Sequence, residues 1–290
     1  CGVFAGCGTG DYSQGLDSDA PRAQVLMGET VAMLPARISY LLNLQGPSLA
    51  IDTACSSSLV AIATACDNLV LGNCDLALAG GVYVLAGPDI HIKMSQSGML
   101  SPDGRCFTFD QRANGFVPGE GVGVLLLKRL SQAEQDGDDI YGVIRAWGVN
   151  QDGKTNGITA PNPVAQTRLE KSVYQRFNIN PEHIELLEAH GTGTKLGDPI
   201  EVEALRETFS SFTNKKNYCA LGSVKSNIGH LATAAGVSGV IKALLALQHR
   251  TLPPTINYQT LNEHIQLNNS AFYINTQCQA WQTPPSGQKR

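Results

Sequence analysis

The stretch Asp52-Thr53-Ala54-Cys55-Ser56-Ser57-Ser58-Leu59 joins a strand-like apolar run, Ser48–Asp52, to an amphipathic helical pattern over Ser56–Gly72. This junction places a thiol at the first turn of a helix, where backbone N–H groups without intrahelical partners and the helix dipole favour negative charge. A thiolate in such a setting is a usable nucleophile near neutral pH. The stretch therefore predicts a strand–helix unit in which Cys55 is the reactive residue.

Two further strings supply imidazole groups. Glu188-Ala189-His190-Gly191-Thr192-Gly193-Thr194 and Lys225-Ser226-Asn227-Ile228-Gly229-His230 each follow a strand-like segment and contain or lead into glycine-rich turns. Loops held by a rigid scaffold often carry function. One cysteine and two histidines, Cys55, His190 and His230, therefore suggest a Cys-His-His site for acyl transfer. We expect the histidines in polar stretches to be solvated: His183, His249 and His264.

Each of these residues also has a plainer interpretation. A cysteine is most often a small buried apolar residue, and Cys66 fits that description because it shares a helical stripe with other apolar residues: Leu59, Ile62, Ala63, Leu69 and Val70. Cys55 differs because it precedes that stripe among hydroxyl side chains. Eight cysteines are too sparse for a disulfide scaffold, and the chain has no cysteine or histidine spacing typical of zinc sites. We therefore expect a reducing, cytoplasmic setting in which no metal is bound.

Strand-like apolar runs alternate with helical patterns along the chain, which favours an α/β fold with a largely buried sheet. The predicted strands are Gly2–Ala5, Ser48–Asp52, Leu76–Val84, Val122–Leu127, Ile140–Trp147, Ile184–Ala189 and Ala220–Val224, with a further strand-like segment at Ala271–Asn275. The predicted helices are Val31–Asn43, Ser56–Gly72, Val164–Phe177, Pro199–Phe209 and Ala234–Gln248. The last of them has a one-sided apolar stripe, which is typical of a helix packed on a core.

A polar segment at Gln132–Asp139 separates two halves that each contain a strand, a reactive residue and a buried helix. We expect two domains, residues 1–135 with the nucleophile and residues 136–290 with both histidines. The Gly-, Pro- and Ser-rich segment Pro88–Gly119 lacks periodicity, which indicates an ordered functional loop. The dipeptide Asp198-Pro199 is expected to supply the N-cap and first residue of its helix.

Composition excludes several classes of function. The 290 residues are 42% hydrophobic and 16% charged, with a formal net charge of −4, and no basic run suggests binding to nucleic acid. No apolar stretch is predicted to cross a membrane, because Lys242 interrupts the best candidate, Val237–Leu247. The sequence has no signal peptide and no initiating Met, and it opens on Cys1 within an apolar segment, which suggests a fragment.

Further strings carry a resemblance to a known family. In chain order they are Met99–Cys106, Phe109-Asp110, Asn114–Gly121, Asn150–Gly157 and Gly197–Glu201. With the cysteine and histidine strings, they resemble the condensing enzymes of the thiolase superfamily, and most closely the β-ketoacyl synthase (ketosynthase) domains of modular type I polyketide synthases. The resemblance covers nearly the whole chain. The forms Asn114-Gly115-Phe116 and Asn150-Gln151-Asp152 are similar to those in assembly lines served by a free-standing acyltransferase (trans-acyltransferase systems).

The resemblance implies a thiolase-like five-layer α-β-α-β-α fold, internally duplicated and here truncated at both ends. Before Cys1 the family has a further strand–helix segment, and after Arg290 it has a glycine-rich turn whose N–H completes the oxyanion hole. These 290 residues alone are therefore expected to be catalytically incomplete. The family also implies a homodimer with Ser48–Asp52 near the two-fold axis.

The resemblance also implies roles for individual residues. Cys55 would carry the acyl chain as a thioester. His190 and His230 would act in decarboxylation and condensation, with their N–H groups holding the negative charge that develops on the malonyl thioester oxygen. The sequence does not divide the work between these two histidines.

Three supporting residues match family positions, and one position departs from the family pattern. Lys225 would support the histidine site, although a surface lysine is its simplest alternative. Thr192 and Thr194 would hydrogen-bond the pantetheine arm of the substrate, or serve only the turn. Fatty-acid-type relatives have a glutamate where this chain has Gly239, so the usual acidic partner of the lysine is missing, a change that modular polyketide relatives share.

The activity implied is decarboxylative Claisen condensation of a Cys-bound acyl chain with malonyl-carrier protein. The expected partners are acyl carrier protein domains, which present substrates on phosphopantetheine, and neighbouring polyketide synthase domains; no cofactor is expected to be bound directly. The alternative is a non-elongating ketosynthase-like domain that only accepts or passes acyl chains. Retention of Cys55, His190 and His230 favours the elongating enzyme. A biosynthetic thiolase is disfavoured because Cys278 lies in a polar segment without the motif of a second catalytic cysteine.

Overall fold

The computed structural model of the chain describes residues 1–12, 22–157 and 160–282. It divides into two compact units, each built from several segments of the sequence. The first unit consists of Cys1–Met99, Pro118–Ile140 and His230–Ser238, and the second of Leu100–Val117, Tyr141–Gly229 and Gly239–Arg290. This division differs from a single boundary after residue 135, because the segment with His230 belongs to the first unit. Among the helices of the described residues, none has the length and apolar character needed to span a bilayer.

The helices and strands are numbered here in chain order. The helices are α1 Arg22–Glu29, α2 Met33–Leu41, α3 Ser57–Val70, α4 Asp89–Gln96, α5 Leu130–Asp136, α6 Pro163–Arg176, α7 Gly197–Ser210, α8 Lys225–Ile228 and α9 Ala235–His249. The strands are β1 Gly2–Gly6, β2 Ser48–Ile51, β3 Leu76–Tyr83, β4 Gly121–Lys128, β5 Leu186–Glu188, β6 Cys219–Gly222, β7 Thr251–Leu252, β8 Phe272–Ile274 and β9 Gln279–Ala280. Short 3₁₀ turns lie at Pro181–His183 and Ala232–Ala234.

The first unit contains a four-stranded sheet in the order β2-β1-β3-β4. Strand β1 is parallel to β2 and β3, whereas β3 and β4 are antiparallel. Helix α3 packs against β1 and β3, and its fully buried Ala61 and Ala65 allow a close approach. Because β1 and β2 are parallel, the loop from β2 to α3, which carries Cys55, leaves the carboxyl end of the sheet, where ligands bind in many α/β proteins.

The second unit contains three parallel strands in the order β5-β6-β8 and a separate antiparallel pair, β7 and β9. Its core is aromatic: Phe109, Phe209 and Phe272 are fully buried, and the rings of Phe209 and Phe272 lie 4.6 Å apart. The loop with His190 follows β5, and the turn with Lys225 follows β6. Both segments therefore leave the carboxyl ends of neighbouring parallel strands.

The prediction of a strand over Ile140–Trp147 is wrong. These residues have no strand partner among the described residues. Four of its apolar residues, Ile140, Tyr141, Val143 and Ile144, are exposed, whereas the Trp147 ring packs on Phe177 at the end of α6, with centroids 5.0 Å apart. Asn150 Nδ2 then donates to the Ala165 carbonyl within α6 (2.8 Å). The apolar character of this segment therefore did not indicate a buried strand.

Several other sequence expectations need correction. Pro88–Gly119 is not wholly a loop, since it contains α4, a helix with no buried residue and hence no apolar stripe to detect. The polar segment Gln132–Asp139 overlaps α5, in which only Ala133 is buried. On α3, Leu59 and Val70 are exposed, at 47% and 68% of their surface, although the rest of the predicted stripe is buried.

Candidate active site

The Cys55 turn is a tight structure fixed by its own backbone and hydroxyl groups. Ala54 has φ = 54°, a left-handed conformation that is rare for a residue with a side chain and is common at functional turns. Its N–H donates to Asp52 Oδ1 (3.1 Å), and the N–H of Thr53 donates to Ser57 Oγ (2.9 Å). The turn therefore holds Cys55, which is half-buried, in a defined position at the end of β2.

Cys55 lies slightly earlier than the sequence predicted. Helix α3 begins at Ser57 and its N-cap is Ser56, so the cysteine precedes the N-cap instead of lying within the first turn. Helix ends are defined only to within a residue or two, yet the influence of the helix dipole falls off within the first turn. The local turn thus contributes at least as much to the setting of the thiol as the dipole does.

Within the first unit, the start of α3 is tied to the segment that follows His230. The N–H of Val237 donates to Ser58 Oγ at 3.0 Å, and Thr233 Oγ1 donates to the carbonyl of Val82 at 2.6 Å. Burial raises the pKa of Tyr83, at the end of β3, and the charges of Asp11 and Cys55 raise this pKa further. Tyr83 therefore lies close enough to Cys55 for their charges to interact. The structure therefore brings Cys55 and His230 into one unit.

His230 is buried, with 5% of its surface exposed, and follows Gly229, whose φ of 76° favours glycine. Its carbonyl accepts from the N–H of Gly119 (3.0 Å), which fixes the backbone. Its ring nitrogen Nδ1 accepts from the N–H of Ala232 (3.1 Å). A neutral imidazole that accepts at Nδ1 carries its proton at Nε2, so His230 is arranged to donate a hydrogen bond from Nε2.

His190 lies on an exposed loop of the second unit whose backbone is held by a carboxylate. Glu201, on α7, accepts from the N–H of His190 (2.6 Å) and from the N–H of Gly191 (2.9 Å), one with each oxygen. The hydroxyl groups of Ser223 and Thr108 donate to the carbonyls of His190 (3.3 Å) and Gly191 (2.8 Å). The main chain of the loop is therefore fixed on both sides while the His190 residue remains exposed.

Asp198 is not an N-cap, because α7 begins one residue earlier at Gly197 with Leu196 as its N-cap. The carboxylate of Asp198 is fully buried and accepts from the N–H of Phe109 (2.8 Å) and of Gly193 (3.1 Å). Burial raises the pKa of Asp198 to about 7, although these N–H donors lower it. The side chain thus holds the Gly193 turn onto the core of the second unit.

The two threonines of this loop have different surroundings. Thr192 is buried and Thr194 half-buried, and their hydroxyl oxygens lie 3.3 Å apart. Thr194 Oγ1 also accepts from the N–H of Gly197 at 3.2 Å, which gives it a part in starting α7. The contact of Thr194 with Gly197 is therefore explained by the turn itself. A contact of Thr194 with a substrate stays a prediction.

Lys225 is not a surface lysine, since only 5% of its surface is exposed. It opens the short helix α8 directly after β6. Its positive charge lowers the pKa of Glu201, which burial otherwise raises, and also opposes the rise in the pKa of Cys106 that burial causes. The second unit therefore brings His190, Lys225 and Glu201 into one electrostatic neighbourhood.

Cys66 and the three histidines expected to be solvated have the surroundings that the sequence predicted. Cys66 is buried and burial raises the pKa of its thiol to about 11, so it is a poor nucleophile. His183, His249 and His264 are exposed, as expected. All eight cysteines belong to the described residues, and each lies outside any disulfide.

Sequence reasoning missed two residues, Tyr83 in the first unit and Glu201 in the second. Glu201 was seen only as part of a motif string and Tyr83 was not considered. A signal for Glu201 exists, because Asp198 and Glu201 are three residues apart on α7 and therefore share one helix face. No pattern in the sequence indicates that this face meets the His190 loop.

The chain is similar to known protein families and to known polyketide synthases. The chain matches the family described as "Beta-ketoacyl synthase, N-terminal domain" over residues 1–133 and that described as "Beta-ketoacyl synthase, C-terminal domain" over residues 141–259. It is 51% identical to polyketide synthase PksL of Bacillus subtilis over 290 residues, which are 100% of this chain and 6% of that protein. It is 49% identical to a phenolphthiocerol/phthiocerol polyketide synthase of Mycobacterium tuberculosis over 256 residues, 88% of this chain and 16% of that protein.

Solved structures give the same result at the level of the fold. The ketosynthase from module 6 of the bacillaene synthase of Bacillus subtilis matches with a TM-score of 0.93 at 51% identity, covering 99% of this chain and 49% of that one. The oxazolomycin ketosynthase domain OzmH KS7 of Streptomyces albus matches with a TM-score of 0.92 at 38% identity, covering 100% of this chain and 51% of that one. The chain thus spans about half of the solved ketosynthases and has their thiolase-like fold. The chain belongs to the β-ketoacyl synthase family.

Proposed function

We propose that this chain provides the reacting residues of a ketosynthase that extends a polyketide by decarboxylative condensation. The Cys55 thiolate attacks the thioester of an acyl chain on a carrier protein, forming an acyl-Cys55 thioester and releasing the carrier's pantetheine thiol. A malonyl thioester on a second carrier then loses carbon dioxide and leaves an enolate. The enolate carbon attacks the acyl-Cys55 carbonyl, the Cys55 thiolate leaves, and a β-ketoacyl carrier is the product.

The observation that carries the proposal is the arrangement of His230. With Nδ1 occupied by the N–H of Ala232, the ring is set to donate from Nε2, and a fixed donor is what the oxygen of a developing enolate requires. His190 is proposed as the second donor, on a loop whose backbone is fixed by Glu201. The buried Lys225 is proposed to support the histidine site electrostatically.

The proposal extends to substrates and partners. The chains handled would be thioesters of phosphopantetheine on acyl carrier protein domains, with Thr192 and Thr194 as hydrogen-bonding partners of the pantetheine arm. Neighbouring polyketide synthase domains and a second copy of the chain are the proposed protein partners. The support for these partners is the membership of the family and the relatives named above, of which this chain matches only a part. A cytoplasmic location and a trans-acyltransferase assembly line likewise stay predictions.

A split between loading and extension tests the proposal. In the full-length protein, His190→Ala should still form an acyl adduct from an acyl-pantetheine thioester, because loading depends chiefly on the thiolate. It should fail to release carbon dioxide from malonyl-carrier protein and form no extended product. Intact-protein mass spectrometry measures the adduct, and His183→Ala, at an exposed position, is the matched control.

The outcomes separate the candidate functions. Wild-type protein that loads and extends, with the loss of extension confined to His190→Ala, supports condensation. Normal product formation by His190→Ala would contradict the proposed role. Wild-type protein that loads acyl groups and never extends them, with active carrier proteins present, would identify the non-elongating alternative.

A further inference from the structure

The carboxylate of Glu188 forms two buried contacts that the proposed reaction does not use. Glu188 is the last residue of β5, and its Oε1 accepts from the N–H of Val224 at 2.5 Å. Its Oε2 pairs with Nζ of Lys242, on α9, at 2.5 Å. Only 14% of each of these two charged side chains is exposed. An ion pair withdrawn from water to this degree needs good geometry to offset the cost of desolvation, which indicates a specific role.

The glycine at position 239 makes room for this carboxylate. A Cβ on Gly239 would lie 3.1 Å from Cγ of Glu188, closer than most such contacts allow. The requirement for glycine here is one of space. Gly239 precedes Lys242 by three residues on α9, so the two lie on one face of the helix. Glu188 therefore reaches α9 through a gap that any larger residue at position 239 would narrow.

The contacts of Glu188 tie together two segments of the proposed site. Glu188 precedes His190 by two residues, and Val224 directly precedes Lys225. A single carboxylate thus links the strand that leads to His190 with the turn that begins α8. Its charge also raises the pKa of Glu201, whereas that of Lys225 lowers it. The second unit therefore contains equal numbers of negative and positive groups here, the carboxylates of Glu188 and Glu201 and the ammonium groups of Lys225 and Lys242.

We propose that Glu188 is a positioning residue that fixes Lys225 relative to His190 through the N–H of Val224, and that Lys242 neutralises the charge of its buried carboxylate. The carboxylate belongs to Glu188 on β5, and the lack of a side chain at Gly239 on α9 leaves space for it. This inference rests on the proposed condensing function, because it assigns Lys225 and His190 to the same site. Glu188 itself does not contact substrate and is not a catalytic residue.

Two double variants of the full-length protein isolate the contact with Val224. Glu188→Ala/Lys242→Met and Glu188→Gln/Lys242→Met both remove the two charges, so neither leaves an unpaired charge buried. Only the glutamine variant retains an oxygen that can accept from the Val224 N–H. We expect kcat for extension to fall about 10-fold to 100-fold in the alanine variant, since small misplacements of reacting groups have effects of this size. The glutamine variant should stay within about 3-fold of wild type, with KM for malonyl-carrier protein and acyl loading unchanged in both.

A third variant tests the same contact without changing any charge. Gly239→Ala should lower kcat severalfold by pressing on Glu188, while thermal stability stays equal or rises, because alanine has a higher helix propensity than glycine. Gly28→Ala, in α1, is the control, since a Cβ there meets no atom within 4 Å.

The outcomes distinguish this inference from the function on which it rests. Equal losses of kcat in the alanine and glutamine double variants, or a kcat for Gly239→Ala equal to that of Gly28→Ala, would overturn the positioning role. Should both double variants fail to fold, Gly239→Ala decides alone. If wild-type protein does not load Cys55 or does not extend, the proposed function fails instead, whatever these variants show.

Discussion

At the scale of the residue, the proposed chemistry depends on backbone groups that side chains hold in place. Ala54 takes a left-handed conformation so that Cys55 sits at the end of β2, and Glu201 binds two successive N–H groups of the His190 loop. The imidazole of His230 is fixed by the N–H of Ala232. Each reacting group is therefore oriented by a short contact within its own unit.

Glu201 gives a direct test of this dependence. Glu201→Gln replaces one acceptor oxygen by an NH₂ group, which faces a backbone N–H and cannot accept from it. We expect extension to fall by about 10-fold to 100-fold, because the His190 loop shifts, while acyl loading on Cys55 is retained. Steady-state kinetics with malonyl-carrier protein measures the change. Glu203→Gln, at an exposed position on the same helix, should remain as active as wild type, and an equal loss in both variants would contradict the account.

The sequence indicated candidate reacting residues, whose roles stay proposals, but not the groups that orient them. Cys55, His190 and His230 were recognisable because each lies in a string with an unusual local setting. The side chain that binds the His190 backbone, that of Glu201, is eleven residues away on α7. No local pattern in the sequence indicates that this face of α7 contacts the His190 loop. Contacts that depend on how a helix packs against a turn are fixed only by the tertiary structure.

At the scale of the element, the packing of α6 on α7 buries the carboxyl group of Glu170, and burial disfavours the charged form of this group. Burial raises the pKa of Glu170, on α6, to about 7, and the charge of Glu201 adds to the rise. The neighbouring Thr208 hydroxyl on α7 opposes it. Among the described residues, Oε2 of Glu170 has no hydrogen-bond partner. The contact between the two helices is therefore weaker when this carboxyl group is ionised.

This site predicts a specific dependence of stability on pH. The pKa of Glu170 is higher in the folded protein, about 7, than its ordinary value of 4.5. Its contribution to stability is therefore fully present below about pH 4.5, falls as pH rises and is lost above about pH 7. Glu170→Gln should raise the free energy of unfolding at pH 8 by up to about 3 kcal/mol, with little change at pH 4.5.

Denaturant unfolding at the two pH values measures the difference. Glu207→Gln, which changes an exposed glutamate on α7 that pairs with Lys171, is the control and should show no such dependence. An equal effect of Glu170→Gln at both pH values would show that burial of the carboxyl group is not what weakens the contact.

Predictions of elements succeeded where one face is buried. Helix α3 and strands β1 and β3 carry continuous or one-sided apolar patterns, and the structure confirms them within a few residues. Helix α4 has no buried residue, so it has no buried face for a sequence pattern to reflect. The segment Ile140–Trp147 has no strand partner among the described residues, and its apolar residues Ile140, Tyr141, Val143 and Ile144 are exposed. An apolar pattern therefore predicts a helix or strand where that element has a buried face, and it fails where the apolar residues are exposed.

At the scale of the whole molecule, the two compact units are not the two contiguous halves that the sequence suggested. The segment His230–Ser238 joins the first unit, and Leu100–Val117 joins the second. A polar segment is most simply interpreted as the boundary between two contiguous domains. A segment whose contacts assign it to the other unit leaves no local pattern in the sequence. The domain boundary after residue 135 stays a prediction, and by its contacts His230 shares a compact unit with Cys55.

The proposed homodimer also belongs to this scale. Strand β2 is at one edge of the first unit's sheet, and Leu49 on it is 42% exposed. An apolar edge strand is suited to pairing with a second copy. Leu49→Asp in the full-length protein should therefore convert a dimer to a monomer without lowering the thermal stability of the monomer. Sedimentation equilibrium measures the mass, and a wild-type monomer or an unaffected variant dimer would contradict this interface.

The central claim is that Cys55 carries the acyl chain. Cys66 offers a matched comparison eleven residues away on the same strand–helix unit, since burial raises the pKa of its thiol to about 11 and only 7% of its surface is exposed. Full-length wild type, Cys55→Ala and Cys66→Ala would be incubated with an acyl-pantetheine thioester and examined by intact-protein and peptide mass spectrometry. The account predicts one acyl adduct in wild type and in Cys66→Ala, located on the peptide with Cys55, and none in Cys55→Ala. An undiminished adduct in Cys55→Ala would contradict it.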